Sequence, residues 1–201
     1  MTDSGMPDPV GRQRHTRPRA PRADALRNRR RLVDAARHLF TAADQPVALE
    51  AVARSAGVGI GTLYRHFATR EELVEAVYTA ELDDVTDSAD ELLEQLPPEQ
   101  ALRAWILNYA HFISAKRGML ATLRDGWASG RIATPATRQR ITSTLAKLLT
   151  AGASTGSFRT DIDPEDLTVM LLGIFTFTAA GPEEHRRDRL VDLAMDALRP
   201  R

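Results

Sequence analysis

Apolar residues recur along the chain at the spacing of one helix face after another, and no stretch alternates long enough to read as a strand. From Ala23, one face is traced by Leu26, Leu32, Val33, Ala36, Leu39 and Phe40, while Arg27, Arg30, Arg31 and Asp34 fall elsewhere, which predicts a first amphipathic helix. Leu49, Val52, Ala53 and Ala56 repeat the pattern over a short segment that Gly57 ends, because glycine enters the left-handed conformation without strain. A second short helix follows, with Leu63 and Phe67 on one face and its close at Ala68-Thr69. Thr69 and Glu72, in a Thr-x-x-Glu capping box, open a long helix through Leu73, Val77, Leu82, Val85, Leu92 and Leu96, which Pro97-Pro98 breaks.

Further helices are predicted at about 98–115, 117–128, 135–153, 163–180 and 183–198, separated by Gly118, Pro135, Gly152 with Gly156, and Gly181-Pro182. Asp163-Pro164-Glu165-Asp166 supplies a cap, a proline at the first helical position and acids against the positive helix end. Leu167 to Ala180 is apolar almost all round, so that helix is expected to be buried on several sides. The pattern is all-α: a three-helix head at 23–68 with a helix-turn-helix, then a larger helical domain at 69–201.

Composition refines this picture. With 201 residues and 43% apolar content, one main core is expected. Residues 1–22 are rich in Arg and Pro with almost no large apolar side chains, and are expected to form a disordered arm. There is no run of eighteen apolar residues and no secretory signal, so a cytoplasmic protein without a membrane partner is expected. The absence of Cys removes disulfide scaffolds, thiolate nucleophiles and Cys-bearing zinc sites. Net charge is zero overall but segregated: thirteen Lys and Arg face six Asp and Glu in residues 1–70, against fourteen and twenty-one in residues 71–201. That split favours a polyanion partner for the first third.

A helix-turn-helix needs small inward residues on its first helix and a turn residue tolerant of positive φ. Ala53 and Gly57 supply them, Val58 can plug the space beneath the turn, and Leu63 and Phe67 anchor the second helix. The outward face then falls among Gly59, Ile60, Gly61, Thr62, Tyr64, Arg65 and His66, and the two glycines allow a close backbone approach. Thr62, Tyr64 and His66 can donate to phosphate oxygens, Arg65 can reach phosphate or a guanine edge, and Arg70 offers another phosphate contact.

Residues Leu49-Glu-Ala-Val-Ala-Arg-Ser-Ala-Gly-Val-Gly-Ile-Gly-Thr-Leu-Tyr-Arg-His-Phe67, followed by Thr69-Arg-Glu-Glu-Leu73, resemble the signature of the tetracycline-repressor (TetR) family. The resemblance implies a DNA-binding head, a helical ligand-binding and dimerisation domain, a homodimer through the C-terminal helices, a near-palindromic operator, and repression relieved by a small effector. It places Thr62, Tyr64, His66 and Arg70 at phosphate-contact positions, and Ile60, Gly61 and Arg65 near base edges. Two departures stand out: Ala48 replaces a capping Ser or Thr, and Arg70 replaces the more usual Lys.

The resemblance also puts an effector cavity among the middle helices, where Trp105, Tyr109, Phe112, Met119, Leu123 and Trp127 concentrate, with Asn108, His111 or Arg124 as polar handles. Core packing is the stronger reading for any one of these residues, and only as a group do they suggest a mainly apolar cavity. The long helix from Thr69 is the natural lever between effector and head. A ligand-independent DNA-binding regulator is the alternative within the same class. A helical metalloenzyme is the alternative outside it, but none of His15, His38, His66, His111 and His185 has Glu three positions earlier. No metal, no cofactor and no enzymatic activity are expected.

Overall fold

A computed structural model describes residues 21–42, 47–119, 123, 134–178 and 184–200. The described residues hold eight helices and no strand: α1 Pro21–Ala42, α2 Leu49–Ser55, α3 Ile60–His66, α4 Arg70–Gln95, α5 Pro98–Gly118, α6 Thr134–Ser154, α7 Pro164–Thr178 and α8 Glu184–Ala197. The expected arm lies outside the described residues up to position 20, while Pro21 and Arg22 belong to α1, where proline suits a first helical position.

In the head, Leu32, Val33, Ala36 and Phe40 of α1 are buried with Val52, Ala53 and Ala56 of the α2 segment and Leu63 and Phe67 of the α3 segment. Leu26 departs from expectation, being 64% exposed. It lies in the first turns of α1, ahead of the stretch that packs on α2, α3, α4 and α5. The core contact therefore begins at Leu32.

The start of α4 carries the expected cap, with the Glu72 amide donating to Thr69 Oγ1 at 3.2 Å. Glu72 Oε2 in return accepts from the Ala68 amide at 2.8 Å, one residue before the reciprocal partner of a standard capping box. α7 is capped likewise, the Glu165 amide donating to Asp163 Oδ1 at 2.8 Å.

The body packs α4, α5, α6 and α7 around Leu82, Val85, Leu102, Trp105, Ile141, Leu145, Leu171 and Phe175. The buried Trp105 indole N–H donates to the Val85 carbonyl at 2.7 Å, so the largest core side chain leaves no polar group unmet. After α6 the chain doubles back through Gly156, at φ +73°, and lays the Phe158 ring where a Cβ on Gly152 would sit, 1.9 Å away.

One expectation needs correction. The Leu167 to Ala180 segment is not buried on several sides within one chain: Leu167, Leu171 and Phe175 face the core, but Val169, Met170, Leu172 and Phe177 are exposed, Phe177 by 87%. No other described element of this chain covers that second face. The separate helix expected at 117–128 falls largely outside the described residues, and α5 itself continues to Gly118. Among the described residues no helix is long and apolar enough to cross a membrane, and no group of three or more His, Asp or Glu is placed to hold a metal ion.

Candidate nucleic-acid interface

The α2–α3 turn is built by Gly57, whose φ of +66° lets the Val58 amide reach the Ala53 carbonyl at 3.0 Å. Val58 packs against the core beneath the turn. The Arg31 Nη2 would lie 2.7 Å from a Cβ at position 57, but that flexible side chain can shift, so the positive φ is what calls for glycine. Ala48, lacking a polar side chain, gives α2 no side-chain cap; its carbonyl accepts from the Ala51 and Val52 amides at 3.1 and 3.3 Å.

Buried Leu63 and Phe67 fix the inner side of α3, and this orientation turns Ile60, Gly61, Tyr64 and Arg65 to solvent. Tyr64 is 49% exposed, a large amphipathic side chain standing off the surface. Thr62 and His66 are half-buried at the flanks. His66 borders a cleft of about 640 Å³ between head and body, with Arg29, Phe67, Tyr78, Thr137 and Arg140.

Arg70 is placed differently from the rest of the set. Its guanidinium turns inward, donates to the Val47 carbonyl and lies 5.5 Å from the Phe40 ring centroid. It thereby holds the entry to α2 against α1 and is half-buried, unlike the outward-facing residues of α3.

Sequence patterning did not single out Arg29. Its guanidinium carbon sits 4.9 Å from the centroid of the Phe67 ring. Arg37 was missed as well: its Nε lies 2.7 Å from Glu81 Oε1 and its Nη1 lies 2.7 Å from Asp84 Oδ2. Burial pushes the Glu81 carboxyl above its ordinary range despite the opposing pull of Arg37. The spacing of Glu81 and Asp84, three apart on one helix face, was the available signal.

Of the residues expected around an effector, Trp105, Tyr109 and Phe112 form a packed stack. Trp105 stacks on Tyr109 at 5.5 Å between ring centroids, Tyr109 on Phe112 at 6.2 Å, and Phe175 meets Tyr109 edge-on at 5.7 Å. Met119 and Leu123 are buried, while Trp127 and Arg124 lie outside the described residues. Burial above all pushes the Tyr109 hydroxyl up to about 12, so it stays protonated and neutral. Beside Phe112 lies a small cleft of about 260 Å³, bordered by Glu81, Asp84, Val85, Asn108 and His111.

Comparison with known proteins places these features in context. Residues 32–77 match the family described as bacterial regulatory proteins, tetR family, and residues 97–200 match the C-terminal domain described as transcriptional regulator SbtR-like. A TetR transcriptional regulator from Streptomyces coelicolor is 41% identical, with a TM-score of 0.78, over 86% of this chain and 98% of that one. A TetR transcription regulatory protein from Mycobacterium vanbaalenii is 31% identical, with a TM-score of 0.70, over 89% of this chain and 99% of that one. An HTH-type transcriptional regulator of Staphylococcus aureus is 36% identical over 63 residues, and the match spans only 34% of that relative's length.

Proposed function

The chain belongs to the TetR family of DNA-binding transcriptional regulators, and on that premise we propose a homodimeric repressor that grips a near-palindromic operator and is released by a small, mainly apolar ligand. The proposed units are the head at 23–68 and the regulatory and dimerisation body from 69 onward.

Gly61 carries the DNA reading. It sits inside α3, where glycine costs about 0.5–1 kcal/mol relative to alanine. Its φ is not positive, and a Cβ there would meet nothing within 4 Å. Among the described residues nothing requires a glycine there, whereas a duplex pressed against α3 would. In this reading Ile60, Gly61 and Arg65 face base edges, and Thr62 and Tyr64 donate to phosphates. His66 and the remaining N–H groups of Arg70 reach phosphates at the margin.

The uncovered apolar face of α7, with Leu193 exposed on α8, supports a two-fold interface in which each copy covers the other. Two recognition helices would then enter successive major grooves roughly 34–36 Å apart. For the ligand, the supporting feature is the cleft beside Phe112, with Asn108 and His111 as polar handles. Its 260 Å³ is just below the usual range of about 300–1,000 Å³, so an occupant must also displace part of the ring stack. The closed packing of that stack favours a second reading, a regulator that needs no ligand.

Equilibrium binding of the full chain to duplex DNA from upstream of its own gene, at stated salt and with excess competitor, tests the first claim. Saturable, competitor-resistant binding that a Tyr64→Ala/Arg65→Ala variant loses supports it. Equal behaviour of variant and wild type on every duplex removes α3 as the reading element.

A further inference from the structure

The head is joined to α4 by two arginines that cross the same contact in opposite directions. Arg70, in the first turn of α4, reaches back to the Val47 carbonyl and the Phe40 ring. Arg37, on α1, reaches out to Glu81 and Asp84, both at 2.7 Å. Along α4 the points of attachment, residue 70 and residues 81–84, are separated by roughly 20 Å at about 1.5 Å per residue. α1 also packs on α4 and α5 through apolar side chains, which hold the head close with little directional preference, and the two arginines, so far apart, restrict its angle.

The outer attachment is the more exposed to change. Arg37, Glu81 and Asp84 are partly solvated, with side-chain exposures of 30%, 17% and 66%. Both carboxylates also border the small cleft that holds Asn108 and His111. One helical face thus serves the head and a body cavity at once. The opposite commitments of α4 are to the body: Asp83 pairs with Arg140 at 2.8 Å, Asp90 with Lys147 at 2.7 Å, and Tyr78 shares a 2.9 Å hydrogen bond with Thr137. These hold α4 to α6, while Arg37 ties α1 to α4.

We propose that Arg37 is a positioning residue for DNA binding, setting through Glu81 and Asp84 the angle at which the head is presented on α4. The proposal rests on the DNA reading above for its consequence but not for its geometry. Loosening the Arg37 attachment leaves each head folded and able to touch DNA while the two heads lose their common spacing. Occupancy of the cleft beside Phe112 acts on the same two carboxylates.

The chain has no cysteine, so spin labels can be placed at chosen sites alone. Glu50→Cys on α2 and Glu94→Cys near the end of α4 are both at exposed positions. Dipolar distance measurement on this doubly labelled full chain, diluted in unlabelled protein, reads the head-to-α4 distance within one copy, without DNA. Wild type and Arg37→Lys should give one narrow distance. Arg37→Gln, and separately Glu81→Gln/Asp84→Asn, should broaden the distribution about twofold, with helix content unchanged, and weaken binding to a two-half-site duplex about tenfold while leaving half-site binding unchanged. Distributions as narrow as wild type in both variants overturn the proposal, as does broadening without loss of duplex affinity. Failure of the wild type to bind any duplex defeats the DNA reading instead, and is told apart because the distances are read without DNA.

Discussion

The guanidinium carbon of Arg29 stands 4.9 Å from the centroid of the Phe67 ring, so a cation on α1 covers the residue that closes α3. Phe67 is 1% exposed and the arginine stem shields it. A cation over an aromatic face contributes about 0.5–1 kcal/mol at an accessible position. Arg29→Met, which keeps the stem and removes the charge, should destabilise the head by about that amount in denaturant titration. An Arg29→Met variant as stable as wild type would show that only the stem matters.

Gly61→Ala separates folding from binding. Alanine in the first turn of α3 should stabilise the head by at most about 0.5–1 kcal/mol, because its methyl meets open space and the helix gains propensity. The same methyl should weaken duplex binding at least about tenfold by holding the DNA backbone away. Melting and binding measured on one preparation check both signs, and a variant that gains stability with unchanged affinity counts against the proposed approach of DNA to α3.

The uncovered face of α7 gives a test of assembly. Phe177→Glu should leave the chain folded, since Phe177 is 87% exposed and supports nothing within it. Sedimentation should show a shift from dimer to monomer, and duplex affinity should fall with it, because two linked heads bind far better than one. A dimer that survives this change places the interface elsewhere.

Glu81 predicts a pH dependence. Burial raises its pKa above the ordinary 4.5 more than Arg37 lowers it, with Asp84 raising it and His111 lowering it by smaller amounts. A carboxyl with a raised pKa holds its proton more tightly in the folded chain than in the unfolded one. Stability therefore falls as pH rises from the ordinary value through the raised one, and the deficit persists above that window. Glu81→Gln should remove this slope, so the melting temperature of the variant relative to wild type should rise with pH just above 4.5. A difference that is flat or falls with pH would mean that the Arg37 pair outweighs burial.

Features whose physics is local were legible in the sequence. Thr69 and Glu72 are three residues apart, and Asp163 caps a helix that starts at the next residue, so both helix starts lie within one turn of the signal. Leu63 and Phe67 named the inner side of α3 because only one side of so short a helix can be buried. Arg70 was legible as a cation but not as one turned inward, since that depends on where the Val47 carbonyl lands, 23 residues earlier. The pairing of Arg37 with Glu81 and Asp84 joins positions on helices whose relative placement no spacing rule specifies. The aromatic residues of α5 were recognised as a group, but filling each other's space and lining a cavity give the same pattern of large side chains at helical intervals.

That group of rings has a consequence for how the body comes apart. Tyr78 meets Phe112 at 5.5 Å, Phe112 meets Tyr109, and Tyr109 meets both Trp105 and Phe175, so α4, α5 and α7 are joined through one run of rings. The Tyr78 hydroxyl extends the run to Thr137 on α6. A helix cannot leave such a run without breaking ring contacts on its neighbours, so α4, α5 and α7 are expected to open together. In hydrogen exchange the amide protons around Val85, Tyr109 and Leu171 should then share one slow rate, and that rate would report the opening of the body as a unit.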